Sequence, residues 1–419
     1  MQGRRFPPLH EGQLQAEDAA HPQSPLLTVL TSSHGPIVKR FSLVDDALLI
    51  DPSAQIYHGH AQTVFVDGPA CLLSLIKSLK PNEALSLGTL SEVGPRFALS
   101  SKHLRRGGEI SRTKEFLKWN DGPAWMLLDV DTKGLPDTVL SKIGNRDLAD
   151  AITDVVPEIA TAPRVIRASS SAGIQMPDGT MRPASGLHVY VLVANGRDIP
   201  QLLGLIHDRL WAAGLGYFAV SKSGTLLERS LVDTSVGSPE RLIFAAAPIV
   251  RLPLTRNPPP PRMFTNGVPL AHVAPTDNVL VERLKSEARE IIKPTALAQQ
   301  KHHEKRQIDH VSETLRITKA EARRIVKQRL EMQLLNEDDL LETGRGRFER
   351  VGDFLDRTVS PTALPCPIEG SDYGTSKAYF YPADSRSPVP RIVSFAHGNI
   401  TVFNFARFRR LSGLCWIES

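Results

Sequence analysis

The segment Trp125-Met126-Leu127-Leu128-Asp129-Val130-Asp131 is apolar enough to belong to a protein interior, yet it ends in two carboxylates. Side chains alternate faces along a β-strand, so Leu128 and Val130 share one face and Asp129 and Asp131 the other, roughly 7 Å apart. Two like charges side by side in a half-buried setting raise a carboxylate pKa and cost stability unless a cation, another partner or a proton offsets them. For oxygen donors the matching counter-charge is a hard divalent ion such as Mg2+ or Mn2+. An Asp-x-Asp at an open strand end is simply solvated, and what separates the two cases lies downstream.

With 419 residues, 41% of them hydrophobic, the chain has material for two or three domains and a real core. No apolar run approaches the roughly 20 residues that span a bilayer; Leu187 to Ala194 and Leu242 to Val250 are strand-sized. The N-terminus lacks the apolar core of a signal peptide, so the expected location is cytoplasmic, with no membrane partner. Cys71, Cys366 and Cys415 are far apart and form no C-x-x-C pair, which supports neither a disulfide framework nor a zinc ribbon. The net charge of +5 is compatible with nucleic acid. It is concentrated: Val281 to Glu331 holds thirteen Lys/Arg against eight Asp/Glu, a surplus equal to that of the whole chain.

Residues 1–35, rich in Pro, Gln and His, read as an N-terminal tail. Over 36–255 strand and helix patterns alternate. Strands are expected at Ile37 to Leu49, Thr63 to Val66, Ser185 to Val193, Tyr217 to Val220 and Leu231 to Asp233, with Arg241 opening another, and Arg164 to Ile174 reads as a strand running into a Ser/Gly loop. Helices are expected at Ala70 to Leu79, Asp147 to Val156 and Ile199 to Ala213. His58-Gly59-His60 reads as a turn rather than a metal pair. The basic, glycine-containing loop Lys102 to Gly108 with Ile110 to Lys114 makes Arg105, Arg106 and Arg112 candidates for phosphate contacts.

Pro253 to Pro261 cannot be helix or central strand, and residues 256–276 read as a stiff linker and the main domain boundary. Residues 277–343 have helical spacing, with Thr318 as N-cap of a basic second helix carrying Arg323, Arg324 and Lys327. Arg316 stands where a helix-turn-helix commonly has Gly, which favours an ordinary helical hairpin. Residues 344–419 read as a small mixed segment, without a clean period after Gly398.

Asp129 and Asp131, then His188 after small Gly186, then Asp233 form an ordered set. Carboxylates on two strands can hold two metal ions that activate a 3′-hydroxyl and stabilise departing pyrophosphate. A nearby His can donate to a triphosphate oxygen, and Arg241, Arg229 and Lys222 are candidate charge clamps.

The order Asp-x-Asp, small-x-His, apolar-Asp resembles the archaeo-eukaryotic primase superfamily, in particular the primase-polymerases of bacterial mobile elements, phages and plasmids. Leu231 to Val236 with Pro239 to Leu242 is similar to that group's third motif and its following arginine, and Ile110 to Lys114 to a run before the first. The resemblance covers about residues 36–255. It implies Asp129, Asp131 and Asp233 as catalytic metal ligands for Mg2+ or Mn2+, and His188 and Arg241 at the incoming nucleotide. Gly186 stands where the family has Ser, and no zinc module is present. Asp353 to Leu355, Ile368 to Gly374 and Ser394 to Gly398 are similar to the connector that leads into a helicase in such proteins. No G-x-x-x-x-G-K-[ST] loop occurs, so the expectation is a chain truncated or frame-shifted before a helicase, with a separate helicase or ATPase as partner.

The expected fold is α/β (α+β), a primase-type catalytic domain with an RRM-like antiparallel sheet, then a helical region and a small mixed C-terminal segment. The expected function is a DNA-directed nucleotidyltransferase, a primase or primer-extending polymerase, acting on single-stranded DNA template and nucleoside triphosphates in replication. One alternative is a DNA-binding replication or regulatory protein with an inactive primase-like domain; another is a metal-dependent nuclease using the same carboxylates.

Overall fold

The computed structural model describes residues 24–408 except 46, 52–55, 102–104, 133, 182–185, 385–386 and 397–399, and leaves aside the side chains of 314, 315, 372 and 408. Lys102 to Leu104, Ser185, His397 and Gly398, singled out in the sequence, therefore lie outside the described residues.

The first half runs β1 (Leu26–Ser32), β2 (Arg40–Val44), β3 (Ala47–Asp51), β4 (His58–Phe65), α1 (Gly68–Ser78), β5 (Glu83–Ser86), β6 (Arg96–Ser100) and β7 (Ala124–Asp131). There follow α2 (Asp137–Ile143), α3 (Leu148–Val155), β8 (Arg164–Ala168), β9 (Ile174–Gln175), β10 (Gly186–Val193), α4 (Ile199–Ala212), β11 (Gly216–Val220) and β12 (Leu226–Ser230). Then come β13 (Ile249–Val250), β14 (Thr255–Arg256), β15 (Arg262–Phe264), α5 (Asn278–Leu315) and α6 (Lys319–Met332). The chain continues through β16 (Leu334–Leu335), β17 (Leu340–Gly344), β18 (Arg347–Arg350), α7 (Val351–Arg357), β19 (Thr362–Leu364), β20 (Ala378–Tyr381), β21 (Arg391–Ser394) and β22 (Thr401–Phe405).

The molecule is mixed α/β. Its main sheet has the order β15-β8-β10-β7-β1-β4-β6, with β5 also on β1, and its pairings are antiparallel except for β1 against β7. The apolar run read from the sequence is the middle of this sheet: from Ala124 to Leu128 every residue of β7 is buried. α1, α3 and α4 share its core through Leu72, Ile152 and Ile206. The Trp125 indole N–H donates to the Val66 carbonyl at 3.1 Å, so the largest side chain of the run is satisfied as well as buried.

Three expected boundaries are corrected. The N-terminal tail ends before Leu26, because Leu26–Ser32 is an interior strand hydrogen-bonded to β4 and β5; its β-branched, apolar residues bury on both faces, and the Pro-rich flank hides that pattern. The 256–276 linker is instead a strap on the sheet: β14 pairs with β9, β15 forms the sheet edge on β8, Leu270 bridges Val193, and Val273 is fully buried. Proline is compatible with such an edge, where no partner strand needs its missing N–H. The helical region stops at Met332 rather than 343.

The single strand expected over Ile37 to Leu49 is a hairpin, β2 and β3, reversing at Asp45 with positive φ. Leu231 to Asp233 and Arg241 to Phe244 are not strands but isolated bridges, Val232 to Val130 and Ile243 to Leu85. After Gly398 the chain still makes a strand: β22 alternates buried Phe403 and Phe405 with exposed Val402 and Asn404 inside a five-stranded sheet, β16-β22-β21-β20-β19. Among the described residues no helix is long and apolar enough to cross a membrane.

Candidate active site

Pairing of β7 with β10 sets His188 opposite Asp129 and Gly186 opposite Asp131. Opposed residues of an antiparallel pair project from the same face, so register alone brings the imidazole to the carboxylates. His188 Nε2 lies 3.5 Å from Asp129 Oδ1. Burial, reinforced by the charges of Arg167 and Lys39, pulls the His188 pKa down to about 3, so the ring is neutral and this approach is polar rather than ionic. Its Nδ1 is buried without a hydrogen-bond partner among the described residues.

On the other flank of β7, the Asp233 N–H donates to the Asp129 carbonyl at 2.9 Å. Asp233 is the N-cap of a 3-10 turn, Thr234–Gly237, and accepts from the Ser235 N–H at 2.9 Å and the Ser235 hydroxyl at 2.8 Å. The third carboxylate is thus locked beside the first. Burial, then Asp233 and Asp131, push the Asp129 pKa up to about 6, against the opposing charges of Arg241 and Lys39. This is crowded negative charge on an all-oxygen donor set, offset in part by Arg241 and Lys39, the environment a hard divalent cation suits. No ready-made metal cage of three His, Cys, Asp or Glu exists among the described residues; the three aspartates are neighbours that repel, with Arg241 Nη2 3.9 Å from Asp233 Oδ2.

Asp129 and Asp131 lie in a cleft of about 560 Å³, whose walls carry Lys39, Arg112, Arg241 and Lys377 and the hydroxyls of Ser169, Ser170 and Ser171. The Ser loop is tied to the histidine strand by the Ser169 N–H donating to the Gly186 carbonyl at 3.0 Å. Gly186 is required by packing: a Cβ there would stand 2.7 Å from the Val130 carbonyl oxygen and 3.5 Å from Ser169 Oγ. A serine at 186 does not fit, and a hydroxyl from the neighbouring loop occupies its vicinity.

The cleft therefore gathers Asp129, Asp131, His188, Arg112 and Arg241, with Asp233 beside Asp129. Arg112, expected at nucleic acid, is anchored by donating from Nη1 to the Glu240 carbonyl at 2.9 Å, next to Arg241. Other expected residues lie elsewhere. Arg229 on β12 is opposite Tyr217 and does not line the cleft. Lys222 lines a separate cavity against α5. Arg105 stacks 4.8 Å over Phe116 and pairs with Glu115 at 3.5 Å, and Arg106 turns the chain with its N–H on Glu109; neither lines the cleft. Arg323, Arg324 and Lys327 are exposed on α6, away from the hairpin interior of Ile308, Val311, Ala322 and Val326.

Sequence reasoning missed Lys39, the three serines and Lys377 as cleft residues. Only the serines carried a local signal, as a small-residue loop leaving a strand; the lysines arrive by tertiary pairing. Comparison with protein-family models, with curated proteins and with solved structures finds no match.

Proposed function

We propose that the chain is a DNA-directed nucleotidyltransferase that makes or extends primers, the activity implied by its resemblance to the archaeo-eukaryotic primase superfamily. The observation that carries this reading is one cleft with Asp129, Asp131 and the neutral His188 on its floor, Asp233 beside Asp129, and four cations and three hydroxyls on its walls. Its volume of about 560 Å³ lies within the roughly 300–1,000 Å³ of small-molecule sites. Opposite charges in one cavity suit a substrate that brings its own negative charge together with divalent metal.

Asp129, Asp131 and Asp233 would hold Mg2+ or Mn2+, which supplies neutralisation of the aspartates and polarisation of the attacking hydroxyl. Lys39, Arg112 and Arg241 would bind the triphosphate and balance charge on the departing pyrophosphate. His188, neutral at physiological pH, has one N–H to donate to a phosphate oxygen and stays a donor when the aspartates are ionised. Ser169 supplies the hydroxyl that position 186 cannot carry. In this reading the sheet around β7 and β10 is the primase-type domain with its RRM-like half, and α6 presents Arg323, Arg324 and Lys327 to phosphates of single-stranded template. A separate helicase or ATPase would open the duplex.

The test is nucleotide incorporation on single-stranded DNA, with and without primer, in Mg2+ and in Mn2+, by wild type and by Asp129→Ala/Asp131→Ala. Incorporation by the wild type that vanishes in the double variant, with DNA binding retained, is the expected result. A folded wild type that incorporates nothing under any of these conditions overturns it and leaves a DNA-binding protein acting through the exposed basic face of α6.

A further inference from the structure

A second cavity, of about 540 Å³, lies between α5, the β17–β18 hairpin and the loop Cys366 to Tyr373, and Lys222 from the β11–β12 turn reaches it. Its charged groups can be accounted for one by one. Glu342 is occupied by the N–H groups of Gly346 at 2.9 Å and Ser371 at 2.7 Å. Glu369 is buried 3.6 Å from His303. Arg329 donates from Nη2 to the Leu340 carbonyl at 2.9 Å and lies 3.8 Å from Asp339. Lys222, Arg306 and Arg345 remain, and among the described residues none of them forms an ion pair.

Those three cations come from a hairpin turn, the C-terminal third of a long helix and a second hairpin turn, so no local structural need explains their meeting. The turns and the helix are held in place independently: the Gln299 side chain on α5 donates to the Lys222 carbonyl at 3.0 Å, and Gly224 packs so closely on α5 that a Cβ would sit 2.6 Å from the Ala296 carbonyl oxygen. The wall also carries flat rings. His310 and Phe348 have ring centroids 5.7 Å apart, tilted at 50°, and Tyr373 also lines the cavity. Several cations beside aromatic rings are what bind a phosphate joined to a base.

We propose that this cavity is a second, non-catalytic site for a nucleotide unit, whose phosphate is held by Lys222, Arg306 and Arg345 and whose base packs on Phe348. The nucleotide unit is either free or part of a DNA strand; the chemistry is shared. Because its walls come from the catalytic half, the long helix and the C-terminal sheet, occupancy joins three parts of the chain. The site does not depend on the reading of the aspartate cleft.

The test uses the full chain in EDTA, which removes metal-dependent binding at the aspartates, with two fluorescent probes: an N-methylanthraniloyl nucleoside triphosphate and a labelled oligothymidylate. Lys222→Glu, Arg306→Glu and Arg345→Glu alter exposed side chains, and thermal unfolding checks that each is folded. Loss of one charge-assisted phosphate contact weakens binding by about tenfold. The expected result is that loss for each variant, with Lys80→Glu, a charge reversal at an exposed lysine outside both cavities, unchanged; an effect on the mononucleotide identifies a free nucleotide, and an effect on the oligonucleotide alone identifies a DNA strand. Wild-type affinity for both probes in all three charge reversals, or no binding of either probe by the wild type, overturns the proposal.

Discussion

At the scale of single residues, two titrations in the cleft pull stability in opposite directions. Burial and like charges raise Asp129 to about 6, so the folded protein holds a proton that the unfolded chain has released, and ionisation costs stability as pH rises towards and through about 6. Burial lowers His188 to about 3, so below the ordinary imidazole value the unfolded chain takes a proton that the folded ring refuses, and stability falls as pH drops from about 6.5. Between the two limits the slopes offset. Asp129→Asn should therefore raise the melting temperature above pH 6 in the absence of divalent metal and leave a steeper acid loss, while His188→Asn should flatten the acid limb. Melting temperature against pH for the three proteins checks both signs; parallel curves would contradict the assignment of either group.

At the scale of elements, α5 ends at Arg316 in the left-handed conformation, φ 54° and ψ 40°, with its N–H donating to the Ser312 carbonyl. The turn to α6 is then closed by a capping box in which Thr318 and Glu321 bond each other's backbone. A residue with a Cβ is strained at such a position, so Arg316→Gly should stabilise the hairpin by up to about 1 kcal/mol after the entropy that glycine adds to the unfolded chain, read from the denaturation midpoint. This turn was legible in the sequence because its signals are local: Thr318, the apolar spacing, and an Arg in a glycine's place. So was the shared face of Asp129 and Asp131, which follows from strand alternation alone. The partnership of His188 with Asp129 was legible only as an order along the chain; the register that places them opposite each other is fixed by β7 and β10 pairing. The misplacement of Lys222 and Arg229 has the same origin, since a cation near a motif in sequence can project to either side of a hairpin. The strap at 256–276 was misread because extended proline looks alike in a free spacer and at a sheet edge.

At the scale of the whole molecule, the C-terminal sheet is more than an appendage to the half that carries the main sheet, because Lys377 from its approach to β20 lines the aspartate cleft. Its backbone is fixed there, the Lys377 carbonyl accepting from the Phe395 N–H at 2.8 Å, and its Nζ lies 5.5 Å from the Tyr373 ring. Two residues on, burial and the neighbouring Tyr57, just before β4, raise the Tyr379 pKa, which marks the same contact from a second point. The aspartate cleft is thus completed by a residue nearly 190 positions after His188, a relation no local pattern encodes. If the proposed activity holds, Lys377→Ala should raise the KM for nucleoside triphosphate about tenfold, the value of one charge-assisted phosphate contact, with a much smaller change in kcat. Lys377→Arg should recover most of it, since the charge and not the packing is at issue. Equal KM values for wild type and Lys377→Ala would mean that the lysine only borders the cleft; a fall in kcat alone would place it at the transition state instead of at the bound nucleotide.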